Sequence, residues 1–186
     1  MKKLIISTII LLSIFTYSCG VKQKYAEANK LTELSVPFTE SQYRSDKDFF
    51  RASQSGASAD LATAKKMALL NARTELANNV SSVIKAVINQ YTNQRNVENK
   101  KELESKFEEQ TMNVIKQSLN DVKIIGDKVF KSRKGIYEYF IAVEMSKKAL
   151  AQEVTRKISS DENLRLDFDA HQFNKVFEEE MNKLEK

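Results

Sequence analysis

The chain has 186 residues with 41% hydrophobic and 30% charged residues, enough for one soluble domain with a solvated surface. Four glycines and one proline exclude collagenous and Gly/Pro-rich disordered chains, and one cysteine excludes an internal disulfide. With a single histidine as well, Cys/His zinc cages are excluded, while a formal charge of +5 raises the question of an anionic partner.

Met1-Lys2-Lys3 is a short cationic start, and Leu4 to Phe15 is an apolar run interrupted only by Ser7, Thr8 and Ser13. About twelve residues are too few for a permanent membrane-spanning helix, which needs about 20. The pattern is that of a secretory signal peptide. In Thr16-Tyr17-Ser18-Cys19-Gly20 the only cysteine follows a small residue, where a bacterial lipoprotein signal places it. Thr16 and Tyr17 depart from the usual aliphatic and small residues before that cysteine. Cys19 is therefore the expected lipidation site, with residues 1–18 cleaved. Its thiol takes diacylglycerol and its new amino group a further acyl chain such as palmitate, which together anchor stably where one chain would not. The alternatives are a plain cleaved signal or a free buried cysteine. Gly20 rather than Asp after the cysteine implies sorting to the outer membrane, and the absence of an acidic cluster in Gly20–Lys24 favours a periplasm-facing anchor. Cleavage removes Lys2 and Lys3 and no acid, so the charge falls from +5 to +3. The remaining charges read as interleaved, as in Lys100-Lys101-Glu102, which argues for solvated helix faces and against nucleic acid.

Residues 19–45 read as lipidated N-terminus and tether, with a flexible end-to-end distance of roughly 28 Å. Val36, Phe38 and Tyr43 leave open whether part of it packs on the domain that spans residues 46–186. Phe49 to Ala57 alternates as a strand, with Phe50, Ala52, Gln54 and Gly56 on one side. Ser58 and Asp60 open a long helix from about Ala59 to Gln94. Its inward positions are Leu61, Ala64, Ala68, Ala72, Leu76, Val80, Val83, Ile84, Val87 and Tyr91. The alanine face suits close approach to a sheet, and the bulkier second half suits another helix. A second helix over about 98–120 turns Leu103, Phe107, Val114, Ile115 and Leu119 inward.

The period then changes. Val122–Lys131 and Ile136–Met145 read as strands joined by Ser132-Arg133-Lys134-Gly135, with Tyr137, Tyr139, Ile141, Val143 and Met145 sharing a face. The partly polar opposite face predicts a sheet covered mainly on one side. Ser146 caps a helix over Lys147–Ile158. Ser160 and Asp161 start a last helix with the stripe Leu166, Ala170, Phe173, Phe177, Met181 and Leu184. The expected class is α+β: a single domain with a small, mainly antiparallel sheet of about three strands, covered by long helices, with a helical C-terminus.

Phe49-Phe50-Arg51-Ala52, Gly56-Ala57-Ser58, Ala64-Lys65-Lys66-Met67-Ala68 and Asn71-Ala72-Arg73-Thr74-Glu75-Leu76-Ala77 together resemble the LPP-twenty-type lipoprotein family. Tyr137–Glu144 with Ser146-Lys147-Lys148-Ala149-Leu150 resembles its closing strand and helix. The likeness covers roughly residues 47–158. It implies an outer-membrane lipoprotein, with relatives in flagellar outer-membrane assembly, and carries no catalytic residues. The long insert at Asn93–Asn120 and the helix after Ser160 depart from the family pattern.

Among single residues, Arg73 is suited to a carboxylate or phosphate but more simply packs its stem in a structural ion pair. Asp167, Asp169 and His171 are the one carboxylate–histidine cluster; Asp167 and His171 share a helical face, but three strong metal ligands are hard to assemble. No G-x-S-x-G elbow, P-loop or dinucleotide glycine pattern occurs, though the many carboxylates leave a glycosidase pair open. The Phe173/Phe177/Met181/Leu184 stripe closes the core or serves partner binding and self-association. Tyr137 and Tyr139 carry the same two readings. The expectation is a non-enzymatic, lipid-anchored envelope protein that binds or organises other envelope components. It needs no cofactor, metal or nucleic acid and meets the membrane through Cys19. The alternative is a periplasmic ligand-binding module with a pocket between the alanine-rich helix and the sheet.

Overall fold

The alternating strand at Phe49 and the alanine ladder after it pack on each other in the computed structural model, which describes residues 32, 34–94, 100–166 and 168–183. Cys19 and the expected signal peptide lie outside the described residues. A unit of residues 1–36 is separate from the unit that begins at Pro37. In the second unit the elements run β1 (Phe49–Ser58), α1 (Leu61–Asn93), α2 (Lys100–Ser118), β2 (Lys123–Lys131), β3 (Tyr137–Ser146), α3 (Lys147–Ser159) and α4 (Ala170–Lys183). The expected α+β class, three-stranded antiparallel sheet and helical C-terminus are all present.

The sheet order is β1-β3-β2, with β3 antiparallel to both neighbours. Phe50 and Ala52 of β1 and Tyr139, Ile141, Val143 and Met145 of β3 are buried, as their alternation demands. α1 crosses β1 and β3 with Ala64, Ala68 and Ala72 fully buried. Gly56 makes this closeness workable. A Cβ there would lie 2.5 Å from the Ala68 nitrogen and 2.7 Å from the Ala64 oxygen, so any side chain would push helix and strand apart. Leu61, expected inward, is 41% exposed because Asp60 is the N-cap itself, accepting from the Thr63 amide at 2.8 Å. The helix thus begins two residues later than expected, with Leu61 at its open end.

Beyond the sheet, the second half of α1 enters a helical layer with α2 and α4, as its larger residues predict, and α3 packs on α2 and α4. Ile88 and Thr92 are buried there too. The Tyr91 ring stands 5.7 Å from both Phe107 and Phe173, and Phe168 lies 5.5 Å from Phe173. Burying each of these rings contributes about 2–3 kcal/mol. Ser146 caps α3 by accepting from the Ala149 amide at 3.2 Å.

The last helix is the main departure from the expected elements. Asp161 does not start it; its carboxylate accepts from the Asn163 and Leu164 amides in a turn, leaving Leu166 84% exposed. The helix starts at Ala170 instead, where Asp169 accepts from the Gln172 amide at 2.9 Å. Phe173, Val176, Phe177 and Met181 then face the core. Leu184 lies outside the described residues.

Candidate functional site

The outer face of the sheet, away from α1, carries a charge cluster. Arg51 of β1 and Glu144 of β3 are opposite one another in the antiparallel register and therefore point the same way. Arg51 Nε donates to Glu144 at 3.1 Å, and its Nη1 donates to the Arg44 carbonyl at 3.0 Å and to Asp46. Lys123 closes the cluster at 3.2 Å from the other Glu144 oxygen. Both central side chains are nearly buried, at 12% and 10% exposure.

Residues 37–46 form a strap that delivers Asp46 to this cluster. Ser45 Oγ accepts from the Arg51 amide at 2.9 Å and donates to the Arg51 carbonyl, covering the free edge of β1. Burial pushes the Asp46 carboxyl up, but the Arg51 hydrogen bond and the Asp48 and Phe49 amides outweigh it and hold it below its ordinary value. Arg51 is raised in turn by its carboxylate partners, against the effect of burial. Of the three apolar residues left open in the tether, Phe38 packs on the domain. It is 5% exposed, sits against Gly126, meets Tyr43 edge-on at 4.8 Å and lies under Lys128 at 5.6 Å. Tyr43 is half-buried and Val36 is exposed.

The residues of the family-like helix serve separate neighbours. Arg73 Nη2 donates to the Asn120 carbonyl at 3.2 Å, and no carboxylate pairs with it among the described residues. Its contact is thus to backbone, not the ion pair expected. Its Nε is buried without a hydrogen-bond partner. Glu75 accepts from Gln54 at 2.7 Å across the first strand.

Asp169 is the α4 cap, and its amide donates to the Tyr91 hydroxyl at 2.8 Å. His171 is exposed one residue into the helix, and Asp167 lies outside the described residues. Among the described residues no group of three His, Cys, Asp or Glu side chains is placed to hold a metal.

Tyr139 is buried, and its hydroxyl donates to Asp127. Burial, followed by the Asp127 carboxylate, pushes its phenol up to about 12. Lys65 of α1 stands 5.7 Å from its ring, and Lys131 stands 4.7 Å from the half-buried Tyr137. Neither tyrosine is a free aromatic surface.

At Gly56 the strand and α1 are in direct contact, with no room for even a Cβ, on the interface where the alternative reading puts a ligand pocket. Cavities open elsewhere. One of about 310 Å³ is lined by Phe49, Asp121, Lys123, Glu144, Ala149 and Glu153. Another, of about 590 Å³, lies between α3 and α4 with Lys47, Lys148, Gln152, Asn174, Phe177 and Met181 around it.

The β2–β3 hairpin carries a feature that charge counting along the whole chain missed. Lys128, Lys131, Arg133 and Lys134 follow one another with no acid from 128 to 137. All four are exposed, as are Val129 at 48%, Phe130 at 49% and Ile136 at 41%. The charges are therefore not interleaved here, and the local run itself was the readable signal. No helix among the described residues is long and apolar enough to cross a membrane. No protein-family model, no curated protein and no solved structure matches the chain.

Proposed function

We propose that the chain is a non-enzymatic, lipid-anchored envelope lipoprotein of the LPP-twenty type, facing the periplasm from the outer membrane. Its α+β domain binds or organises other envelope components. The observation that carries this reading is the order of the first twenty residues: cationic start, short apolar run, Ser18-Cys19-Gly20. A boundary between compact units at Pro37 supports it, since the 17 residues from Gly20 to Val36 then lie between Cys19 and the unit that holds the sheet. Extended, such a segment reaches at most about 60 Å. Confinement to a surface raises the effective concentration of the domain toward its neighbours, so weak contacts suffice.

The test is metabolic labelling with a clickable palmitate analogue and membrane fractionation of the wild type and Cys19→Ser. Label on the wild type, with loss of label and release of Cys19→Ser to the soluble fraction, is the expected outcome. An unlabelled wild type, or a variant that stays in the outer membrane, overturns the anchor.

A further inference from the structure

We propose that the tip of the β2–β3 hairpin is a second membrane contact, which docks on an anionic lipid surface; the biological setting rests on the anchored reading above. The tip is a hydrogen-bonded turn. Gly135, at φ +82°, follows the turn in which its amide donates to the Ser132 carbonyl at 3.0 Å, and the Ser132 amide donates to the Ile136 carbonyl at 2.8 Å. Around that turn stand Val129, Phe130 and Ile136, three large apolar side chains each more than two-fifths exposed. Lys128, Lys131, Arg133 and Lys134 flank them along the chain, in a run bounded by Asp127 and Glu138. An apolar end flanked by cations matches the lipid interface, where hydrocarbon sits beneath anionic headgroups and long basic side chains reach outward.

Two observations favour lipid over an acidic protein strand added to the open β2 edge. Val129 pairs with Tyr139 and points to the α1 side of the sheet, whereas Phe130 pairs with Glu138 and points to the other side. Ile136 lies beyond both, so the apolar groups surround the tip. A protein partner that extends the sheet would be met by one edge and one face; a fluid interface meets all sides at once. The second observation is where the folded unit begins. Phe38 packs on Gly126 and beneath Lys128, so the chain enters the domain beside β2 itself. From Gly126 to Phe130 is about 13 Å along a strand. A chain anchored ahead of Pro37 therefore enters the folded unit beside the strand that bears the tip.

The chain contains no tryptophan, so Phe130→Trp provides a single reporter. The full lipidated chain with this substitution is reconstituted on vesicles of phosphatidylcholine with or without phosphatidylglycerol, and lipidation of Cys19 is read separately by mass spectrometry. Docking predicts a blue-shifted emission, quenched by brominated acyl chains, only when phosphatidylglycerol is present. Adding Lys131→Glu, Arg133→Glu and Lys134→Glu should weaken docking on the order of 100-fold, with circular dichroism confirming the fold. Raising the salt concentration should weaken it too. Emission unmoved on anionic vesicles, or moved equally on neutral ones, overturns the proposal. So does a shift produced by soluble polyglutamate and not by vesicles, which would assign the edge to an acidic protein partner. If Cys19 proves unmodified, the full chain is added to preformed vesicles and the same emission test decides the hairpin alone.

Discussion

Replacing Gly56 with alanine puts one methyl group into the interface between β1 and α1. The new carbon would stand 2.5 Å from the Ala68 nitrogen, 2.7 Å from the Ala64 oxygen and 2.7 Å from the Met67 Cβ. Two of these three atoms are backbone, so no rotamer change relieves the contact. Restoring ordinary separations requires α1 to lift by about 1 Å, which forfeits a quarter to a half of each dispersion contact across the interface. Ala64, Ala68, Ala72 and Leu76 are all fully buried along that line, so the loss extends over several turns. Overpacking of this kind costs about 1–3 kcal/mol, and the backbone clash places Gly56→Ala at the upper end, about 3 kcal/mol. The smaller entropy of the unfolded chain returns only about 0.4–1 kcal/mol of it. For a domain of this size the melting temperature should fall by about 5–12 °C. Urea unfolding followed by far-ultraviolet circular dichroism measures the change, with an unaltered slope showing that stability alone has moved. Gly135→Ala is the internal control. It has open space around it and suffers only from its positive φ, at about 1 kcal/mol. If Gly56→Ala unfolds within about 0.5 kcal/mol of wild type, or proves milder than Gly135→Ala, the close-approach argument is wrong.

Two pH dependences follow from the ionisable groups. Asp46 is held below its ordinary value of 3.8, so its stabilising contribution is complete above that value and fades as pH falls through the lower folded value. Urea midpoints of wild type and Asp46→Asn should therefore differ at pH 7 and converge in acid; a gap constant with pH would refute the ion-pair origin. Tyr139 has the opposite sign, because its folded value is raised from 10.0 to about 12. Its contribution is complete below pH 10 and disappears as pH rises toward 12. Absorbance titration at the phenolate band should show a late-ionising step, and Tyr139→Phe should reduce it by one tyrosine. The same variant should lose about 1–2 kcal/mol at neutral pH, since Asp127 loses a donor.

Much of the fold was legible because local chemistry and tertiary packing agree. The change from helical to alternating spacing near Val122 marks where β2 begins at Lys123, and the Ala64/Ala68/Ala72 ladder named the face that meets the sheet. The start of α4 was misread because two cap-like groups compete. Ser160-Asp161 and Asp169 each offer a side-chain oxygen before an apolar stripe. What separates them is distant in sequence: the Tyr91 hydroxyl accepts from the Asp169 amide, 78 residues away, and fixes that residue as the cap. The Arg51–Glu144 pair was invisible for the same reason, because 93 residues separate two charges that only the β1–β3 register brings together. The expected last helix lost Leu166 to solvent once Leu164 was buried beneath its turn.

Charge shows the difference between what a count and a fold report. A net +5 spread over the chain reads as a mixture of solvated helix faces, and in α2 the Glu102–Lys106 pair is one such case, at 2.8 Å on exposed side chains. Such pairs contribute little and cancel at a distance. The hairpin differs because its four cations between Lys128 and Lys134 outnumber the two acids that bound the run, Asp127 and Glu138. The fold then strengthens the asymmetry: β3 carries Tyr137 and Tyr139 on one face, and Lys131 and Lys65 lie over those two rings. Lys65 comes from α1, 66 residues before Lys131, so it enters this basic group only through the fold. Aromatic faces attract cations and hold them at defined places. A field fixed in this way falls off within about 10 Å at moderate salt, so it acts on a surface brought close and not on one met by chance.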